Sequence, residues 1–149
     1  MATEINIREV EESDFIQIID LFKEFAAFEK SPNKMLNSVE QMKEETAFFN
    51  CFIAETKDHK IIGYATYFTA YYTWIGKSLY MDDLYVKPDH RGNGIGTQLI
   101  KKVIEFAKNS KCHKLRWQVS GWNERAIKFY QTLGADVDAT EQNCDLIFK

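Results

Sequence analysis

The chain lacks any run approaching 18 uninterrupted apolar residues, so nothing in its 149 residues predicts a membrane-spanning helix. It has only two prolines, Pro32 and Pro88, and no Gly/Ser- or Pro-rich stretch that would mark a linker. Self-similarity at a fixed period, the mark of repeat arrays, is absent too. No basic excess is present: 19 Lys and Arg face 22 Asp and Glu, a net charge of −3. A nucleic-acid-binding domain usually carries a basic patch, so that class is not expected. Cysteine is scarce and scattered. Cys51, Cys112 and Cys144 have no close pair, and His59, His90 and His113 sit in polar surroundings, so no metal site is expected. Three unpaired thiols fit a reducing, cytoplasmic setting. The opening residues MATEINIREV lack a charged region followed by an apolar one, so no signal peptide is expected. Aromatics at 14% are too many for a disordered chain. The length predicts one domain, residues 1–149, large enough to bury its own core.

The hydrophobic period divides the chain. Ile5 and Ile7 begin a short alternating strand. Ser13 then opens a helix to about Lys30, with Phe15, Ile18, Ile19, Phe22, Phe25 and Ala26 on one stripe. Ser31-Pro32-Asn33 breaks it. Ser38 and Gln41 have the spacing of a capping box, which predicts a second helix to about Phe48. From there the period falls to 2. Strands are expected at Cys51–Glu55, Ile61–Thr69 and Ser78–Val86, with an aromatic connection, AYYTWIGK, before the last of these. A helix from Gly94 to about Ser110, a strand at Leu115–Val119, a helix at Asn123–Leu133 and a short strand at Asp145–Phe148 complete the chain. The strand–helix–strand unit at 78–119 requires a parallel pair. The expected fold is α+β (mixed α/β): a mixed sheet of six to seven strands with helices on both faces.

The most informative segment is Val86-Lys87-Pro88-Asp89-His90-Arg91-Gly92-Asn93-Gly94-Ile95-Gly96, between a strand and a long helix. Glycines let a backbone approach a ligand, and a helix N-terminus carries about half a positive charge. A phosphate fits there, although glycines alone are equally consistent with a tight turn. A Walker loop would need Gly-Lys-Ser/Thr, but Thr97-Gln98 follow Gly96. A Rossmann loop would need G-x-G-x-x-G after the first strand. Neither matches.

Arg91-x-x-Gly94-x-Gly96 resembles the R/Q-x-x-G-x-G/A pyrophosphate loop of the GNAT N-acetyltransferase superfamily. TWIGKSLYMDDLYV, SGWNERAIKFYQTLGA and KEFAAFEK resemble its diamine (spermidine/spermine) and thialysine branch, in the same order along nearly the whole chain. The resemblance implies a single catalytic domain with a β-α-β core that binds acetyl-coenzyme A, with no metal. It places the coenzyme on Leu84, Tyr85, Val86, Arg91, Gly92, Asn93, Gly94, Ile95, Gly96 and Thr97, with Asn123, Glu124, Arg125 and Ala126 holding the pantetheine arm. It makes Tyr130 the general acid. It also implies a homodimer.

Amine acetylation needs a deprotonated acceptor, because an alkylammonium of pKa about 10.4 is not a nucleophile. It also gains from an acid for the departing thiolate. Tyr130 lies seven residues after Asn123, on the same helix face. Asp82 is the candidate base. By period 2 it shares a face with Leu84 and Val86, Asp83 pointing the other way, unless a bulge intervenes. Many members of the resembled family have Glu at this position, and the shorter Asp82 favours a water relay. A cationic acceptor calls for carboxylates and aromatic faces. Phe28, Glu29, Trp74, Asp82 and Asp83 match the family's acceptor side. Where the polyamine enzymes carry an acid two residues before the tryptophan, this chain has Tyr72. A small amine is therefore the expected substrate, whether a diamine or an amino acid with a terminal amine. Acetylation of protein lysines or N-termini, and a non-catalytic acyl-coenzyme A sensor, remain open alternatives. Segment 70–77 reads as a cover rather than one wall of a peptide groove.

Overall fold

The computed structural model describes residues 4–148, which fall into two compact units, Met1–Trp117 and Gln118–Lys149. The first holds β1 (Ile5–Glu9), α1 (Phe15–Phe28), α2 (Val39–Glu44), β2 (Asn50–Thr56), β3 (Ile61–Tyr72), β4 (Gly76–Val86), α3 (Ile95–Asn109) and β5 (Leu115–Trp117). The second holds α4 (Glu124–Thr132). The sheet runs β1-β2-β3-β4-β5 in chain order. All its pairings are antiparallel except β4 with β5, the parallel pair that the α3 crossover requires. The mixed α+β architecture is as expected, but with five strands among the described residues rather than six to seven.

Successive residues of a strand point to opposite faces, and β3 shows what each face meets. Tyr64 is fully buried against Phe22 of α1, ring centroids 5.0 Å apart. Its neighbour Gly63 faces Leu99 of α3, where an added Cβ would lie 3.3 Å from the leucine and 2.9 Å from the Tyr85 carbonyl. Helices therefore cover both faces. The α1 side buries Phe15, Ile18, Ile19 and Leu21 against Ile53, Ile61, Tyr64 and Tyr85. The α3 side buries Leu99, Ile100 and Val103, with Phe106 against Tyr67.

An ion cluster ties β1, β2 and the start of α1 together. Arg8 donates Nε to Glu55 at 2.9 Å and both terminal nitrogens to Asp14 at 2.8 and 2.9 Å. The Arg8 guanidinium holds both carboxyls below the usual carboxylate range. Asp14 also accepts the Glu11 N–H at 2.7 Å, so the chain enters α1 through a 3-10 turn at Glu12–Asp14 and Ser13 is not the cap.

Other expectations need correction. Ser38 accepts the Gln41 N–H, but its own N–H goes to Asn37 Oδ1, so only half of the capping box forms. The second helix stops at Glu44, with a 3-10 turn at Thr46–Phe48. The aromatic segment 70–77 is not a connection outside the sheet: Tyr71 pairs with Lys77 and Tyr72 with Gly76, so it is the end of the β3–β4 hairpin. Asp145–Phe148 forms no strand, because no neighbouring strand supplies a ladder for it among the described residues.

Candidate functional site

The ladder between β3 and β4 slips by one residue. Thr66 pairs with Asp83 and Tyr67 with Met81, leaving Asp82 as the extra residue of a β-bulge. The bulge inverts the alternation of β4. Before it, Tyr80 lies against Phe68, centroids 5.3 Å apart; after it, Tyr85 lies 6.1 Å from Tyr64. Tyr64 and Phe68 share one face of β3, so Tyr80, Asp83 and Tyr85 share a face as well. This corrects the simple alternation: Asp83 faces the α1 side, and Val86 turns toward Gly63 and Leu99 on the other. The Thr66 hydroxyl accepts the Asp83 N–H at 3.1 Å and so satisfies the donor that the bulge displaces.

Asp83 accepts a hydrogen bond from the buried Tyr64 hydroxyl at 3.2 Å. Burial pushes its carboxyl up to about 7, and the Asp82 charge adds to the rise. The Tyr64 hydrogen bond opposes it, while Glu29 at the end of α1 reinforces it. Asp82 is exposed, yet desolvation raises its carboxyl too. Two carboxyls on one bulge, both poised above the ordinary range, are suited to holding an ammonium and taking its proton. Tyr64 and Thr66 were not singled out by sequence reasoning, because their roles exist only in the slipped register.

The raised carboxyl has a cost for the fold. Folded Asp83 keeps its proton up to about pH 7, whereas an unfolded aspartate releases it near 4. Stability from this group is thus full below about pH 4 and is lost as pH rises through 7. Asp83→Asn is expected to be more stable than the parent by on the order of 1–2 kcal/mol at pH 8, after allowing for solvent screening. Thermal midpoints should converge at pH 3.5. A midpoint difference independent of pH would place the Asp83 carboxyl at an ordinary value.

Beyond Met81 the parallel pairing with β5 ends, so β4 from Asp82 to Val86 has β3 as its only strand partner among the described residues. An extended ligand with amide groups can add to such an edge. The chain then leaves β4 through a 3-10 turn at Pro88–His90 and enters α3. Gly92 and Gly94 have φ of +84° and +76°, a left-handed conformation that only glycine adopts cheaply. A Cβ at either position would meet nothing within 4 Å, so the space in front of the loop is open. The first helical hydrogen bond runs from Gln98 N to Gly94 O, which leaves the N–H groups of Ile95, Gly96 and Thr97 without an intrahelical acceptor. Such an opening, with donors and the positive end of a 15-residue helix, fits a pyrophosphate.

The rim joins loop and acids. Arg91 donates Nε to the Val86 carbonyl at 2.8 Å and lays its guanidinium over the rings of Phe28 and Tyr85 at 4.9 and 5.4 Å. Phe28, Glu29, Asp82, Asp83, Tyr85 and Arg91 are thus drawn to one region of the first unit. Trp74 is not. It sits fully exposed at the hairpin turn, roughly 20 Å of strand from the bulge. In the second unit, Asn123 caps α4 by accepting the Ala126 N–H at 3.1 Å. Glu124 and Arg125 fill the first turn of that helix. Tyr130 lies two turns on, largely buried, its ring 5.4 Å from that of Phe129.

Residues 14–135 match the model of the acetyltransferase (GNAT) family. Among curated proteins, the mouse (Mus musculus) thialysine N-epsilon-acetyltransferase is 39% identical, over 96% of this chain and 90% of its own length. A human (Homo sapiens) spermidine/spermine N(1)-acetyltransferase-like protein is 32% identical over 87% of this chain, which is 20% of that longer protein. Among solved structures, an aminoglycoside acetyltransferase from an uncultured soil sample superimposes with a TM-score of 0.80 at 21% identity, covering 97% of both chains. That last likeness concerns the fold.

Proposed function

The chain belongs to the acetyltransferase (GNAT) family and is an N-acetyltransferase; on that premise we propose that it moves an acetyl group from acetyl-coenzyme A to a primary amine of a small cationic acceptor, by direct attack in a ternary complex. The observation that carries this reading is the open N-terminus of α3, with its two left-handed glycines, beside the unpaired edge of β4. When bound, the coenzyme supplies the acetyl thioester. The α3 N–H groups hold its pyrophosphate, and the Leu84–Val86 edge takes the amides of its arm. Asp82 and Asp83 hold the acceptor ammonium. One of them, directly or through water, takes the proton that frees the nitrogen lone pair. Asp83 is the better matched of the two, since its proton affinity lies near neutral pH. Tyr130 gives a proton to the departing sulfur, and Asn123 with the start of α4 holds the thioester end. Both units belong to one catalytic domain in this reading. A homodimer is what the resemblance implies, and the free thiols fit a reducing, cytoplasmic compartment.

Coenzyme binding is the step to test. Asn tolerates a positive φ better than other side chains, so Gly94→Asn adds bulk with limited backbone strain. It is expected to raise the acetyl-coenzyme A dissociation constant tenfold or more, about 1.4 kcal/mol, with little change in thermal midpoint. Unchanged affinity, by calorimetry on a folded variant, would remove the loop from the coenzyme site.

A further inference from the structure

Asp83 is gripped at two points by the neighbouring strand β3. The Thr66 hydroxyl accepts its N–H at 3.1 Å, and the Tyr64 hydroxyl donates to its Oδ2 at 3.2 Å. Tyr64 and Thr66 are two residues apart, so both lie on the α1 face to which the bulge turns Asp83. The Tyr64 ring cannot swing away. It is fully buried, its centroid 5.0 Å from that of Phe22 and 6.1 Å from that of Tyr85. Burial, followed by the Asp83 charge, pushes its phenol well above the ordinary value, so the hydroxyl keeps its proton throughout the working pH range. Tyr64 is therefore a standing donor rather than a group that exchanges protons. Asp82 stands on a different footing. As the extra residue of the bulge it is exposed and has no β3 residue opposite it.

We propose that Tyr64 is a positioning residue for acetyl transfer: by holding Asp83 Oδ2 it presents Oδ1 to the acceptor and makes Asp83, rather than Asp82, the base. This rests on the acetyl-transfer reading and names which acid takes the proton and what aims it. The acceptor ammonium gives one proton to Asp83 Oδ1, and the freed lone pair forms the C–N bond as the C–S bond breaks. A second proton leaves the nitrogen as the amide forms, balancing the one that the departing sulfur gains. The proton on Asp83 passes to solvent.

The titratable and charged groups around Asp83 are Asp82 and Tyr80 on its own strand, Tyr64 of β3, Cys51 of β2 and Glu29 at the end of α1. Among them Tyr64 favours the charged carboxylate, whereas Asp82 and Glu29 oppose it. Removing the Tyr64 hydroxyl therefore raises the proton affinity of Asp83, and removing the Asp82 charge lowers it. The two substitutions must move the same titration in opposite directions.

The test is the pH profile of kcat/KM for a diamine at saturating acetyl-coenzyme A. The parent is expected to show an acid limb centred near 7. Tyr64→Phe keeps the ring and its packing. It should move the limb up by about half a unit or more, a loss of roughly threefold at about pH 6 that closes by about pH 9. Asp82→Asn should move the limb down, and Asp83→Asn should abolish it. A limb unmoved in Tyr64→Phe, or a loss equal at every pH, would overturn the proposal. A limb abolished by Asp82→Asn and kept in Asp83→Asn would overturn it as well. No turnover of any primary amine is a separate result, which sinks the acetyl-transfer reading. The Asp83 carboxyl is then titrated directly, by carboxyl-carbon NMR, in the parent and in Tyr64→Phe. A higher midpoint in Tyr64→Phe supports the grip on Oδ2 without any turnover, and an unchanged midpoint overturns it.

Discussion

Tyr130→Phe is expected to lower kcat about 10²-fold or more while leaving coenzyme affinity nearly unchanged. A phenol hydroxyl can donate a proton at neutral pH, and the departing thiolate needs one only as the carbon–sulfur bond breaks. Losing an interaction made in the transition state lowers kcat and kcat/KM together and spares binding. The phenyl ring keeps the packing of α4, including its contact with Phe129. The opposite reading, a core tyrosine with a structural hydroxyl, makes the opposite forecast: stability falls by about 1 kcal/mol and kcat holds. Thermal midpoint and kcat measured on one preparation separate the two. A variant with full kcat would remove Tyr130 from the mechanism and leave water as the proton source.

Arg8→Met is expected to destabilise the fold by about 2–3 kcal/mol at pH 7, because it leaves two clustered carboxylates without their cation. The Asp14 and Glu55 side chains are each only 8% exposed, while Arg8 is 29% exposed and roofs them at the surface. Water can re-enter once the roof is removed, which keeps the loss at or below the lower end for a buried pair. The pH dependence carries the signature. Both carboxyls are held below their unfolded values, so the stability they contribute is present above about pH 4 and lost as pH falls through the folded values. The parent and Arg8→Met should therefore converge in acid. Denaturant midpoints at pH 7 and pH 2.5 check this, and an equal gap at both would show that the loss is one of packing rather than charge. Activity per folded molecule should not change, since the cluster sits at the β1–β2 side of the sheet, away from the bulge.

The parts of this molecule that depend on local pattern were legible in the sequence. The apolar stripe from Phe15 to Ala26, the period-2 strands and the glycine-to-helix junction at Gly94 all came out as helix, strand and loop, within a few residues. The parts that depend on partners were not. Asp145–Phe148 has strand composition, but a strand exists only beside another. Segment 70–77 is rich in aromatics because it extends a hairpin whose length depends on pairing. The bulge mattered most for the site. Strict alternation points Asp83 away from the face of Asp82 unless a bulge intervenes, and the slipped rung between Thr66 and Tyr67 is that bulge. The repeated acid, Asp82-Asp83, was the available signal that alternation fails at that point. Tyr72 was seen as a departure from the polyamine enzymes, but the two cations over its ring, Lys114 and Arg116, come from the β5 region some 40 positions later. No local window could reveal them.

The proposed reaction is acetyl transfer from acetyl-coenzyme A to a small primary amine. The most direct measurement is one reaction of the purified chain with acetyl-coenzyme A and a panel of diamines, amino acids with terminal amines, and peptides. Thiol release and the mass of the acceptor are followed together. Thiol release is expected in step with a gain of one acetyl group on a small amine, with no comparable rate with peptides. Tight coenzyme binding with no thiol release above buffer hydrolysis would contradict it and point to an acyl-coenzyme A sensor, and turnover confined to peptides would contradict it in favour of a protein acetyltransferase.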